Sequence, residues 1–79
     1  MWVKSQSGRL YNLSHFHKID VVLAGSGCAL VAESFAQVEL YSSISETECR
    51  KAQELLERAL REALPYFDLG KFMQRNGGK

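Results

Sequence analysis

The sequence predicts an α+β fold, an antiparallel β-meander of four to five short strands packed on one long C-terminal amphipathic helix. Two observations carry this. Residues 45–64 place apolar side chains at steps of three and four, the period of a helix with one buried face. Residues 1–42 instead alternate in short runs separated by Gly and Ser turn signals, as hairpin-linked strands do. Strands followed by a helix point to a sheet covered on one side rather than to alternating βα units.

The helix is expected over 45–64. Ser45 can cap its first turn while Glu48, three residues on, reaches back to the cap's own N–H. Glu46 and Glu48 add negative charge where the helix dipole favours it. Pro65 disfavours the α region at Leu64, which sets the end there. Cys49, Ala52, Leu56, Ala59 and Ala63 form the centre of the apolar stripe, with Leu55 and Leu60 at its margins. The opposite face carries Glu46/Arg50, Glu54/Arg58 and Glu57/Arg61, alternating charges that describe a solvated surface. The small residues of the stripe permit close approach to the chain's own sheet, or to a second helix in a dimer.

Trp2 and Val3 open a first strand, Ser7-Gly8 is a turn, and residues 9–13 return as a second strand. Residues 15–24 make the longest strand, with His17, Ile19, Val21 and Leu23 toward the helix and Phe16, Lys18, Asp20 and Val22 away from it. Gly25-Ser26-Gly27 reverses the chain into a strand over 28–33. After a turn at 34–36, Val38 and Leu40 point inward from residues 37–42, Glu39 and Tyr41 outward. Ile44 stands where a hydrophobic staple onto Cys49 would begin. On a sheet covered by one helix, Phe16, Val22 and Tyr41 would meet water unless the sheet curls or a second subunit covers them.

Residues 65–74 concentrate Tyr66, Phe67, Leu69, Phe72 and Met73, and residues 75–79 are expected to be disordered. The aromatics either fold back on the chain's own core or dock on a neighbour. With 79 residues the chain is read as a single domain, 1–79, small enough for association to add usefully to its stability. Lys plus Arg number 10 against 9 Asp plus Glu, so no global field draws nucleic acid or an anionic membrane. The absence of a long apolar run or a signal-like N-terminus leads to a cytoplasmic expectation. Cys28 and Cys49 fit small buried hydrophobes in a reducing compartment, with a disulfide open to them if the helix crosses the strand.

The opening MWVKSQSGRLYNLSHF, together with the Ser45 to Glu48 box, resembles small bacterial and prophage-type proteins of uncharacterised function that begin with Met, an aromatic or aliphatic residue, a Gly turn and an LxNL strand. The resemblance covers most of residues 1–64 and implies a β-meander closed by a C-terminal helix. It transfers no site residue, and the aromatic tail departs from it. Strands followed by one helix also look like the second half of a pleckstrin-homology-type domain, an analogy that favours binding.

His15-x-His17 would present two imidazoles on one face of a regular strand, without the third and fourth ligands a metal needs. Cys49 near a helix N-terminus and Gly25-Ser26-Gly27 read as core and turn, lacking a catalytic partner and a phosphate-loop context. Lys71, Arg75 and Lys79 among Phe72 and Gln74 make a sparse basic and aromatic mixture. No catalytic residue, cofactor, metal or small-molecule substrate is indicated. The function expected is a non-enzymatic protein-interaction or assembly module, self-associating through Phe16, Val22, Tyr41, Tyr66, Phe67, Leu69, Phe72 and Met73. The alternative is a small nucleic-acid-binding or regulatory protein of a mobile element.

Overall fold

The computed structural model describes residues 1–77, and its fold is α+β. The elements run β1 (Trp2–Lys4), β2 (Leu10–Asn12), a 3-10 turn (Leu13–His15), β3 (Lys18–Ala24), β4 (Gly27–Glu33), β5 (Gln37–Ser43), α1 (Glu46–Arg61), β6 (Tyr66–Asp68) and α2 (Leu69–Gly77). The strands make two sheets instead of one, in the orders β2-β1-β6 and β3-β4-β5. All pairs are antiparallel except β1 with β6, which is parallel.

The larger sheet follows the alternation closely on β3 and β4. Gly25 turns the β3–β4 hairpin at φ 58°, while Ser26 keeps a negative φ, as a two-residue loop with Gly first prefers. Val21 and Leu30 pair across the strands and are buried, with Ile19 packed at the margin of the core. Leu23 is exposed rather than covered by the helix. The strand expected from residue 15 starts at Lys18, because Asn12 caps a 3-10 turn: its Oδ1 accepts from Ser14 N at 3.2 Å and Ser14 Oγ at 2.6 Å. On β5 a bulge opposite Leu30/Val31 breaks the alternation. Leu30 pairs with Tyr41 and Val31 with Glu39, so Leu40 is the extra residue and Tyr41 turns to the helix side, where it packs against the core.

Ser45 caps α1 as expected, its Oγ accepting from Glu48 N at 3.4 Å. The reciprocal half of the box is replaced: Ser45 N donates to Ser43 Oγ at 3.0 Å. Ile44 stays exposed and makes no staple. Cys49, Ala52, Leu56 and Ala59 are buried on the sheet, and Arg50 pairs with Glu46 at 3.1 Å on the solvent side. The helix ends at Arg61, three residues before the expected Leu64. Ala63 adopts φ 56°, Ala63 N donates to Leu60 O at 3.0 Å and Leu64 N to Ala59 O at 3.1 Å. That is a Schellman ending with alanine where glycine is usual, so the chain has already left the helix before Pro65.

The segment after Pro65 is structured by pairing with the N-terminus. Trp2 N donates to Pro65 O at 2.8 Å, and β6 lies along β1 in the register Trp2↔Tyr66, Val3↔Phe67, Lys4↔Asp68. Val3, Phe67, Leu69 and Met73 then join Leu30, Leu40, Leu56 and Cys49 in one core cluster. Asp68 Oδ1 accepts from Lys71 N at 3.0 Å at the start of α2, and a Cβ on Gly70 would lie 3.0 Å from Gln6 Cα and 3.1 Å from Ser5 O, a tight fit that glycine avoids where α2 approaches the first hairpin. The helical backbone continues to Gly77, past the residue where disorder was expected to begin; residues 78 and 79 lie outside the described residues.

The two sheets are tied by Gln6. Its N–H donates to Leu40 O at 2.8 Å, its Nε2 to Ser42 O at 3.2 Å, and its Oε1 accepts from Ser42 N at 3.0 Å. One residue's backbone and carboxamide thus take the place of a strand along β5.

Two substitutions test this arrangement by urea unfolding. Leu69→Ala should lower stability by about 2–5 kcal/mol, as truncation of a fully buried leucine does, whereas Tyr66→Ala on the exposed side of β6 should cost well under half as much. Ala63→Gly should raise stability by roughly 0.5–1 kcal/mol, because glycine adopts the left-handed region without the steric cost an alanine bears.

Candidate functional site

The outer face of the smaller sheet carries the concentration of exposed aromatic surface. Register partners share a face, so β1 at the centre groups its neighbours into two rows: Asn12, Trp2 and Tyr66, then Leu10, Lys4 and Asp68. Val3, Tyr11 and Phe67 point the other way, into the core. Trp2 and Tyr66 are each 49% exposed, and Leu10 is also exposed. Two large aromatics thus stand side by side on a three-stranded surface, with a lysine and an aspartate in the adjoining row.

The expected interaction residues separate into four groups. Phe67, Leu69 and Met73 are buried in the chain's own core. Phe16 and Tyr41 are partly buried against that core; the Phe16 ring meets Tyr11 edge-on at 6.3 Å, and the β5 bulge is what brings Tyr41 inward. Tyr66 and Phe72 are exposed, the latter with its ring 5.4 Å from that of Phe67. Val22 remains on the uncovered face of the larger sheet.

That uncovered face is not the apolar surface expected of it. Its cross-strand rows read Lys18, Glu33 and Gln37; Asp20, Val31 and Glu39; Val22, Ala29 and Ser42. Lys18 and Glu33 form an ion pair at 3.8 Å, and Val31 is buried in the row between Asp20 and Glu39. Most of this face suits water.

Trp2 was not singled out in sequence because its partner strand is three residues long and lies 64 positions away. The pairing of Trp2–Lys4 with the post-proline segment leaves no local periodic signal. Leu23 and Ile44 at one end of the larger sheet, and Phe35 at the β4–β5 tip, are exposed, although alternation turned Leu23 toward the helix and the cap made Ile44 a staple residue.

Two further features have chemistry. An open groove of about 540 Å³ between the first hairpin and α2 is lined by Lys4, Gln6, Tyr41, Asp68, Lys71 and Gln74. Burial, followed by the nearby Glu48 charge, raises the Tyr41 phenol above its ordinary value, so it is a neutral hydroxyl there. Cys28 on β4 and Cys49 on α1 are free thiols with their sulfurs 2.6 Å apart. Burial, then the hydrogen bond shared with Cys28, pushes the Cys49 thiol up to about 12. His15 lies in the 3-10 turn, so His15 and His17 are not alternate residues of one regular strand, and among the described residues no group of three or more His, Cys, Asp or Glu gathers as a metal site.

No family model, curated protein or solved structure matches the chain. Among the described residues no helix is long and apolar enough to cross a membrane.

The raised Cys49 value carries a pH consequence. Below pH 9.0, the ordinary thiol value, folded and unfolded chains both hold the proton and it contributes no pH dependence. Between there and about 12 only the folded state retains it, so stability falls as pH rises through this window. The melting temperature should drop between about pH 9 and 10.5 by more in the parent chain than in Cys49→Ala, whose stability is lower at neutral pH but less sensitive to alkali.

Proposed function

We propose that the chain is a non-enzymatic protein-interaction module that self-associates through the outer face of its smaller sheet. The observation that supports this reading is the pair Trp2 and Tyr66, register partners with about half of each side chain in water. Trp and Tyr supply large, rigid contact area and are enriched where proteins meet. Lys4 and Asp68 occupy the next row, so the patch carries both signs of charge. A two-fold contact uses one patch twice and can set Lys4 of one copy against Asp68 of the other. Six outward-facing strand residues make a small surface, and the association is accordingly weak and reversible. We place the protein in a reducing compartment such as the cytoplasm, where both thiols stay free until an oxidant reaches them.

A second reading keeps nucleic acid in view, because two neighbouring aromatics beside a lysine on an open sheet can stack bases. Asp68 in the lysine's own row weakens it.

Light scattering across a hundredfold concentration range separates the possibilities. Self-association raises the mass above the 8.9 kDa of one chain as concentration increases, and Trp2→Thr/Tyr66→Thr, which keeps strand propensity, returns it to the monomer without unfolding. A parent chain that stays monomeric throughout defeats the self-association reading. Since Trp2 is the sole tryptophan, quenching of its fluorescence by a single-stranded oligonucleotide, reversed by salt, would favour the second reading instead.

A further inference from the structure

We propose that Cys28 and Cys49 form a redox modification site, at which a hydroperoxide closes a disulfide that locks the first turns of α1 onto β4. The two residues lie 21 positions apart on different elements, yet their sulfurs approach to 2.6 Å, roughly half an ångström more than the ~2.05 Å of a covalent S–S bond. The arrangement follows from packing. Cys28 faces the helix from the end register pair of β4 with β5, opposite Ser43, and Cys49 is the first buried residue of the α1 stripe. Closing the bond therefore brings together sulfurs that packing already holds about half an ångström from bonding distance.

Access is unequal. Cys49 is fully buried, while Cys28 is 5% exposed and lines two surface clefts. One, of about 370 Å³, is walled by Gly27, Ser43 and Ile44 among others; the second, of about 250 Å³, lies beside Leu23, Gly25 and Ser26. Hydrogen peroxide is small enough to enter either. Cys28 is thus the residue reached first, and Cys49, held as a neutral thiol by its burial, is the one that resolves.

The chemistry balances without a further reactant. The Cys28 thiol gives up its proton as its sulfur attacks one peroxide oxygen: an S–O bond forms, the O–O bond breaks, and the departing oxygen takes that proton and leaves as water. The Cys49 sulfur then attacks the Cys28 sulfur: the S–S bond forms, the S–O bond breaks, and the leaving hydroxide takes the Cys49 proton as a second water. Two thiols are oxidised by two electrons and one hydrogen peroxide is reduced to two waters.

The cross-link closes a loop running from β4 through β5 to the first turn of α1, which restricts the unfolded chain more than the folded one. For a domain of this size an upward shift in melting temperature of at least ~5 °C is expected.

The test uses the reduced full chain, exposed under native conditions to hydrogen peroxide alone and then unfolded in an alkylating reagent. The expected result is an intact mass lower by about 2 Da, no alkylation, a proteolytic fragment joining Cys28 to Cys49, and a raised melting temperature; a reducing phosphine reverses all four. Oxygen adducts of about 16 Da or multiples on either sulfur, cross-links between chains, or two thiols that still alkylate fully would each overturn the proposal. A Cys28–Cys49 bond with an unchanged or lowered melting temperature would overturn the lock. None of these readouts depends on whether the chain self-associates.

Discussion

The parallel pairing of β1 with β6 is the contact on which the rest of the fold depends. A three-residue strand gains little from its own backbone bonds, and β1 is held only because it lies between β2 and β6 with Val3 wholly buried beneath. Parallel neighbours need a crossover, and here the crossover is the whole of the larger sheet plus α1. The two ends of the chain therefore complete one another. Pro65, without an N–H of its own, still supplies the carbonyl that receives Trp2 N, so the residue that looked like a stop signal is also a splice between strands. A fold closed by so distant a pair has to bring its termini together late, since the cost of the long loop precedes the contacts that offset it.

This accounts for the apolar excess after residue 65. Phe67, Leu69 and Met73 supply core that a sheet with one helix would lack, filling the space beside Leu56 and Leu40. Alternation along β6 then puts Tyr66 outside for the reason that it puts Phe67 inside. The exposed aromatic is thus a consequence of the register, and its neighbour Trp2 is exposed by the same register read on β1.

How much was legible in the sequence follows from the range of each signal. The Ser45 cap, the stripe from Cys49 to Ala59 and the Gly25 hairpin are local patterns, and each is where the periodicity placed it. The end of α1 was misjudged because Ala63 carries no mark of a left-handed residue; a glycine there would have announced it. The orientation of Tyr41 was lost to a single extra residue, Leu40, since a bulge inverts every side chain beyond it and leaves no trace in composition. Gln6 was silent altogether: a glutamine that finishes a sheet edge looks like any polar residue in a turn.

The stripe of small residues on α1 finally bears on how two copies could meet. Ala52 and Ala59 are almost fully buried on the chain's own sheet and second helix, so the close approach their size permits is already used inside the molecule. A helix-to-helix dimer through that stripe would have to open the core, exposing Leu30 and Leu40 to gain contacts no better than those lost. The outer face of the larger sheet offers the Lys18–Glu33 ion pair and two further carboxylates, Asp20 and Glu39, groups that water already solvates. The Trp2 and Tyr66 surface sets two large aromatics side by side on paired strands. Their side chains project from backbone fixed by the β1–β6 ladder, so a partner meeting them need order little more than the side chains themselves.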